Sequence, residues 1–398
     1  MLKRMLVLVS AACLVAACAI DRPTDVSRAV ASDASATFSA VKFWEVGATV
    51  NWNERATALA AVRTTDATRM YTYLALAQFR AAEAADAAPG PHPPISAAIG
   101  GASVAVLSSF FPLDVAQLEA ALDAQQAAEP WPGAKHQDFA AGEAIGRAVG
   151  ARVLIFAQGD HYGLTNPLLP PIGPPPVAPG RWIYNGGPIA RGGLGARPFF
   201  LTSGNQLRPL PPPAFGSAAF MAALAEVRHI ADTRTAEQIA IANYWNVNAS
   251  PRSTAAMMGI ARELIVSHRR KDAEAARIMF LMSAAAFDAS IGCFDAKYAY
   301  WFLRPKQADP GIVTVFPSPP HPSYPSAHSC IVGAQTSVLT AVFPSDRIRL
   351  DDVAQEASLS RLYAGIHFRC DMDAGRALGR GVAVLALTAN FDHVAPLP

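Results

Sequence analysis

Apolar residues recur at helical spacing along most of the chain. Residues 33–157 are rich in alanine, and the stretches 56–79 and 137–156 place apolar side chains three and four positions apart. This periodicity, combined with the high helix propensity of alanine, predicts amphipathic helices. Strand-like alternation is sparse, and no repeat of solenoid length is apparent. The pattern therefore predicts an all-α fold built from one or more helical bundles.

The helical pattern is interrupted between residues 166 and 213. This stretch contains Pro-Pro-Ile-Gly-Pro-Pro-Pro, two Gly-Gly pairs and a later run of three prolines. Proline lacks a backbone N–H and glycine is flexible, so neither a helix nor a central strand is expected here. Because Trp182, Tyr184 and the apolar residues 199–201 lie within it, we expect this Pro/Gly-rich connector to pack over the helices.

Helical spacing resumes at residue 214 and continues to about residue 389. A long segment, 272–303, should end before Pro305, since the residue before a proline disfavours helix. After the proline-crowded stretch 310–325, a helix should begin near Pro325 with Ser326 as its cap. The chain divides into a leader (1–18), an N-terminal helical region (33–165), the connector (166–213) and a C-terminal helical catalytic domain (214–396).

Composition limits the classes of function. Of the 398 residues, 52% are hydrophobic and 16% are charged, enough to bury a large core in one big domain or two fused domains. The formal net charge is +2, and the basic residues do not form a tract. Without a basic surface there is no electrostatic basis for gripping a phosphate backbone, so a nucleic-acid partner is disfavoured.

The first eighteen residues resemble an export signal. Lys3 and Arg4 precede an apolar stretch that ends in Val15-Ala16-Ala17-Cys18, which is similar to the bacterial lipobox. We therefore expect an exported protein, periplasmic or anchored to the outer membrane by lipidation of Cys18. A plain signal peptide with an incidental cysteine is the alternative. No later segment is an uninterrupted apolar stretch of spanning length, so contact with a membrane is expected only through this anchor.

The remaining cysteines do not define a framework. Cys293, Cys330 and Cys370 would be left after processing, and three cysteines cannot all pair within one chain. One bridge is compatible with an oxidising compartment, but its partners are not specified by the sequence. Their separation also lacks zinc-ligand spacing.

A first cluster of candidate residues is Lys297-x6-Arg304-Pro305. If the helix continued, seven residues would place both cations on one face about 10 Å apart. A solvated helix face is the ordinary interpretation of such a pair. Here the surrounding Phe294, Tyr298 and Trp301 leave little polar surface, so the two cations require an anionic partner.

A second cluster, Ser326-Ala327-His328, lies where a loop becomes a helix. Backbone N–H groups, a hydroxyl and the positive end of a helix can converge there on an anion. His328, with an ordinary pKa in the physiological range, could exchange a proton. The alternative is a capping serine beside a histidine at the edge of the core.

The third cluster is Arg361, His367 and Asp371. The aspartate lies four positions after the histidine, so on a helix the carboxylate could hold one ring nitrogen while the other faces a reactant. Beside an arginine, such a pair suits a ligand or nucleophile aimed at a tetrahedral oxyanion. A surface ion-pair network, with Arg369 as the partner of Asp371, is the alternative.

Together, the three clusters resemble the signature shared by phosphatidic acid phosphatase type 2 proteins, bacterial class A acid phosphatases and vanadium-dependent haloperoxidases. Ala327 stands where the family has glycine, which puts the loop geometry in question. The segment His321-Pro-Ser-Tyr-Pro-Ser-Ala-His328 resembles the corresponding loop of vanadium bromoperoxidases. Residues 199–209, 295–297 and 364–371 resemble bacterial haloperoxidase-like proteins. The resemblance is weak before about residue 195 and strong after about residue 235. The short separation of His328 from Ser360 also fits class A acid phosphatases.

The resemblance implies roles for individual residues. It assigns the oxyanion cage to Lys297, Arg304, Ser326, the Ala327 N–H and Arg361, with His367 bonded to the central atom. In a haloperoxidase the cofactor would be vanadate, with His367 as its ligand, and hydrogen peroxide and halide would be the substrates. His328 would then assist proton transfer, and His321 and Phe294 would lie on the halide side.

A phosphatase would use the same cage without a cofactor. His367 would attack a phosphomonoester to form a phosphohistidine, His328 would protonate the leaving alcohol, and Asp371 would orient His367. A third interpretation is a non-catalytic oxyanion-binding protein. The haloperoxidase interpretation is preferred slightly because the resemblance beyond the motif favours it. The sequence is compatible with a homo-oligomer.

Overall fold

The structure is a computed structural model that describes residues 47–63, 66–89, 93–128, 136–163, 177–184, 189–246, 252–391 and 394–397. The leader and Cys18, on which the lipoprotein prediction depends, lie outside the described residues.

Thirteen α-helices and no strands are present in the described part of the chain, which confirms the predicted all-α fold. In chain order, α1 to α13 are Ala48–Val62, Ala67–Asp86, Ile95–Phe110, Val115–Ala128, His136–Gln158, Ala218–Thr233, Ala236–Tyr244, Arg252–Ser267, Asp272–Tyr300, Pro305–Ala308, Ala327–Val342, Arg347–Tyr363 and Arg369–Thr388.

Short polar side chains start several of these helices. The Asp66 carboxylate accepts the Arg69 N–H at the start of α2, and the Ser217 hydroxyl accepts the Phe220 N–H at the start of α6. Each satisfies a backbone donor that the first helical turn cannot pair internally. Local chemistry therefore accounts for helix boundaries on both sides of the connector.

The described part of the connector, 177–184 and 189–213, packs against the helices, and one buried carboxylate holds three of its backbone N–H groups. Asp288 of α9 accepts the backbone N–H groups of Phe199, Phe200 and Leu201 at 2.7–2.8 Å. The apolar side chains of Trp182 and Leu201 are buried. A proline-rich segment has few backbone partners of its own, so a side-chain acceptor inside the bundle fixes its path.

Helix α9 is the central element of the molecule. It packs against α2 on the N-terminal side and against α11 and α13 on the C-terminal side, and one apolar cluster extends across all of them. By length and composition alone α9 could cross a membrane, but almost all of its apolar surface is buried inside the bundle. A core helix of a globular fold has the same composition.

Close packing of α11 on α13 positions the site. Gly379 of α13 lies where a Cβ atom would be 2.4 Å from the Cys330 carbonyl oxygen, and a Cβ at Gly375 would be 2.8 Å from the Ser326 carbonyl oxygen at the start of α11. Glycine at these positions lets the two backbones approach. The start of α11 and the first turn of α13 are thereby held together.

Candidate active site

The three sequence clusters converge at one end of the C-terminal helices. Lys297 lies in the last turn of α9, Arg361 in the last turn of α12, and Asp371 in the first turn of α13. Arg304 and His367 lie in the turns before α10 and α13. All five side chains are almost fully buried.

The predicted helical spacing of Lys297 and Arg304 is wrong. Helix α9 ends at Tyr300, and Trp301 adopts a left-handed conformation with φ 52°. The chain therefore turns sharply, and Arg304 reaches the site from the following segment instead of from the same helix face. A left-handed tryptophan could not be inferred from apolar spacing, because non-glycine residues rarely adopt this conformation.

Lys297 holds the loop that precedes α11. Its ammonium group donates to the carbonyl oxygens of Pro322, Ser323 and Pro325 at 2.8, 2.8 and 2.5 Å. An ammonium has three N–H bonds, so all of its donors are used. Lys297 therefore contributes its positive charge and the shape of the loop to the site, rather than a direct hydrogen bond to an anion.

Arg304 joins the loop to His367. Its guanidinium donates to the carbonyl oxygens of His321 and Ile366, at 3.0 and 2.9 Å, and to the His367 Nε2 atom at 2.9 Å. Arginine can only donate, so the Nε2 atom must be an unprotonated acceptor. The Nε2 atom of His367 thus carries a lone pair that faces a cation.

Asp371 fixes the other side of the His367 ring. The His367 Nδ1–H donates to Asp371 Oδ2 at 2.8 Å, and the same oxygen accepts the Ser323 hydroxyl at 2.6 Å and the Phe368 N–H at 3.0 Å. Burial raises the pKa of the Asp371 carboxyl to about 6, so it is ionised at neutral pH. The spacing predicted that the pair lies on one helix. It does not, because α13 begins only at Arg369.

His367 and His328 are both neutral at neutral pH. Burial and, next, the Arg304 charge hold the pKa of His367 well below its usual range. Burial and, next, the Arg361 charge do the same to the pKa of His328. The expectation of an ordinary pKa for His328 is therefore wrong in this structure, since it neglected desolvation of the protonated ring.

The start of α11 offers a hydroxyl and backbone amides. Ser326 stands at the N-cap, but its hydroxyl makes no capping hydrogen bond and, within the described residues, has no partner although it is buried. Ala327 is the first helical residue and does not adopt a positive φ. Alanine in place of glycine is therefore compatible with this loop.

Positive charge dominates the site. Burial lowers the pKa of Lys297 to about 8, that of Arg304 to about 10 and that of Arg361 to about 9. The buried Asp371 carboxylate interacts with two of these cations, Lys297 and Arg304. Uncompensated buried charge is costly, so this arrangement favours binding of an anion.

Arg361 is held by polar and aromatic contacts. It donates to the Ser360 hydroxyl at 2.9 Å and to the Ala242 carbonyl oxygen at 3.2 Å, and its guanidinium lies 5.3 Å from the centre of the Phe316 ring. These acceptors are neutral. The charge of Arg361 therefore remains available to an anion.

His321 and Phe294 lie together beside Arg304. Their rings meet edge to face with centroids 5.2 Å apart. His321 Nδ1 lies 3.0 Å from the Arg304 guanidinium and 3.1 Å from the Pro322 carbonyl oxygen. The structure thus places both residues predicted for the halide side next to the cage.

Three residues near the site were missed by sequence reasoning. The His328 Nε2–H donates to the Trp245 carbonyl oxygen at 2.8 Å, and the Trp245 indole N–H donates to Glu356 at 3.0 Å. Ser323, which bonds to Asp371, lies inside the motif between His321 and His328 and could have been found there. Trp245 and Glu356 carry no local signal, because tertiary packing alone brings them to His328.

A cavity of about 490 Å³ adjoins the cage. Arg304 lines it, together with residues from the connector, α10 and the proline-rich loop, namely Trp182, Lys306, Gln307, Thr314, Val315, Phe316, Pro317, Ser318 and Pro319. Its size is in the range of small-molecule sites.

The three cysteines of the described chain, Cys293, Cys330 and Cys370, are free thiols.

Comparison with known proteins identifies the fold. A bacterial vanadium-dependent iodoperoxidase is 24% identical, with 87% of this chain and 96% of that chain covered and a TM-score of 0.70. Holo and apo forms of a bacterial vanadium-dependent chloroperoxidase are each 16% identical. The match to the holo form covers 84% of this chain and 94% of that chain, with a TM-score of 0.66. The match to the apo form covers 80% of this chain and 91% of that chain, with a TM-score of 0.62.

The chain therefore has the fold of the bacterial vanadium-dependent haloperoxidases. Within this fold, residues 275–394, which carry all three clusters, match the family model of the PAP2 superfamily. No curated protein sequence matches the chain significantly. These findings confirm the family resemblance drawn from the motif residues.

Proposed function

We propose that the protein is a vanadium-dependent haloperoxidase, which oxidises halide with hydrogen peroxide. The observation that carries this proposal is the unprotonated His367 Nε2 atom among three buried cations. Such a site binds a tetrahedral oxyanion by charge and offers a nitrogen to its central atom. Two features favour haloperoxidase over phosphatase. One is the fold similarity across both helical regions, and the other is His321 beside Phe294.

The residues present fit vanadate. The Ser326 hydroxyl is buried and has no hydrogen-bond partner in the described chain, so it can donate to a bound oxyanion. The excess positive charge of the site also suits an oxyanion. Arg304, Arg361, Ser326 and the Ala327 N–H would hold the oxygens, Lys297 would add charge, and His367 would be the ligand. Bound vanadate would supply the activation of hydrogen peroxide toward halide.

The protein groups would orient this chemistry and move protons. Asp371 keeps the proton of His367 on Nδ1, so Nε2 stays available. Arg304 would exchange its hydrogen bond to Nε2 for an anion oxygen. The Trp245 carbonyl keeps the His328 proton on Nε2, which leaves Nδ1 as a base for a peroxide proton.

The decisive experiment compares two reactions on one preparation. Protein freed of anions and then loaded with vanadate is assayed for peroxide-driven oxidation of iodide, bromide and chloride, and the anion-free protein is assayed for phosphomonoester hydrolysis. We expect vanadate-dependent halide oxidation. Hydrolysis of phosphomonoesters with a trapped phosphohistidine and no halide oxidation would instead establish the phosphatase. If replacement of His367 reduced neither anion binding nor turnover, both the haloperoxidase and the phosphatase proposals would be contradicted.

A further inference from the structure

Lys306 stands in the wall of the cavity that adjoins the cage. Its side chain is exposed, whereas Arg304, two residues earlier, is buried and lines the same cavity. Pro305, which lies between them, is the first residue of the short helix α10. The start of this helix therefore presents the Lys306 cation to solvent and the Arg304 cation to the cage. The cavity thus has a positive charge at the surface and a positive charge at depth.

The other cavity walls carry no opposing charge. The remaining lining residues are aromatic, apolar or neutral polar groups, and none is acidic. The nearby Asp309 carboxylate pairs with Arg228 at 3.1 Å. A cleft with walls of low polarity and charges of one sign focuses its field outward and raises the local concentration of ions of the opposite sign.

The segment that shapes this cavity is firmly held. The Gln307 side-chain amide donates to the Ile183 carbonyl oxygen at 2.7 Å and accepts the Ile183 N–H at 3.3 Å, which ties α10 to the connector. Lys306 is therefore attached to a fixed part of the wall. Its stem has a defined origin, while its ammonium group extends toward solvent.

We propose that Lys306 is a steering residue that captures small anions at the cavity and speeds their transfer to Arg304 and the oxyanion cage. The inference rests on the proposed function only in that the cage binds a tetrahedral oxyanion. It holds for an inorganic oxyanion and for a phosphomonoester, because it depends on charge. It assigns the rate of anion entry to a residue outside the motif clusters.

The test is the association rate of vanadate, followed by stopped-flow tryptophan fluorescence on the full chain. Lys306→Gln should lower the association rate constant by about 3- to 10-fold at low ionic strength, and Lys306→Glu should lower it further. The dissociation rate should change much less. The differences should largely vanish at about 0.5 M salt, where screening is short-ranged.

Lys271→Gln is the matched control. This exposed lysine precedes the other end of α9, roughly 39 Å along the helix axis from Lys297, and its loss changes the net charge equally. It should leave association unchanged. Equal rates and equal salt dependence in the Lys306 and Lys271 variants would overturn the inference. Failure of the unaltered protein to bind vanadate or phosphate at all would contradict the proposed function itself, and the steering role with it.

Discussion

His367 and His328 have different surroundings, so their replacement should cause different losses of activity. The His367 Nε2 lone pair accepts a hydrogen bond from Arg304, whereas the His328 Nε2–H donates to the Trp245 carbonyl oxygen. His367→Ala should abolish turnover of either kind. His328→Ala should leave anion binding largely intact and lower turnover by about 10²–10⁴-fold, the usual contribution of a proton-transfer group.

Halide oxidation and phosphomonoester hydrolysis by both variants check this asymmetry. The control is His229→Ala, which removes an exposed histidine of α6 and should change neither activity. Substantial activity in the His367 variant would place the chemistry on another residue.

Arg361 should contribute to the binding of vanadate and phosphate alike. Its guanidinium is buried and donates only to neutral acceptors, so its charge is available to either ion. Arg361→Ala should weaken both by about 1.5–3 kcal/mol, the range for a hydrogen bond to a charged group. Calorimetric titration measures the effect, with Arg347→Ala, an exposed arginine of the same helix, as control. Unchanged affinity for both ions would remove Arg361 from the cage.

Anion affinity should fall as pH rises through about 8. Burial lowers the pKa of Lys297 to about 8, so its positive charge is present below that pH and is lost above it. A bound anion stabilises the protonated form, so affinity should decline by up to about tenfold per pH unit in this window. Sulfate or tungstate is the suitable probe, because neither changes its own charge there. An affinity that is constant between about pH 7 and 9 would show that Lys297 stays protonated.

At the scale of elements, glycine contacts between helices should be intolerant of a methyl group. A Cβ at Gly379 would lie 2.4 Å from the Cys330 carbonyl oxygen and 2.7 Å from the Ala334 nitrogen, both backbone atoms of α11. Gly379→Ala should therefore lower the free energy of unfolding by about 1–3 kcal/mol and disturb the start of α11.

Gly259 provides the comparison. It lies in α8, and a Cβ there would meet nothing within 4 Å. Gly259→Ala should raise stability by about 0.5–1 kcal/mol, since alanine has the higher helix propensity. Chemical denaturation of both variants measures the change in the free energy of unfolding. Changes of the same sign in the two variants would contradict the packing argument.

Helices were predictable where periodicity and local breakers agree. The expected helix at 137–156 corresponds to α5, and the expected start near Ser326 corresponds to α11. The stretch 56–79 proved to be two helices, because Asp66 caps a new one inside it. The left-handed Trp301 was not predictable from the local pattern, because non-glycine residues rarely adopt this conformation; its ring packs against Trp182 and Tyr298.

The candidate site was predictable as a set of residues but not as a geometry. The spacing of His367 and Asp371 indicated their contact correctly, although the contact is a turn before α13 rather than a helical pair. The three carbonyl acceptors of Lys297 and the link from His328 to Trp245 arise from segments far apart in sequence. Such contacts depend on the assembled fold, which a local pattern does not encode.

At the scale of the whole molecule, the lipobox remains a prediction to test. If Cys18 is lipidated, Cys18→Ser should move the protein from the membrane fraction to the released fraction, because the acyl chains supply the membrane affinity. Fractionation of cells that produce the two forms measures this. A Cys18→Ser protein that stays in the membrane fraction would contradict the lipoprotein assignment.

The unbalanced charge of the cage also has a consequence for folding. The buried cations Lys297, Arg304 and Arg361 repel one another, and a bound oxyanion would relieve that repulsion only in the folded state. Ligand binding to the native state stabilises it by about 2.7 kcal/mol at a hundred times the dissociation constant. The melting temperature should therefore be higher in phosphate than in an anion-poor buffer of equal ionic strength. Phosphate retained from purification would act as a thermal protectant while it keeps vanadate out.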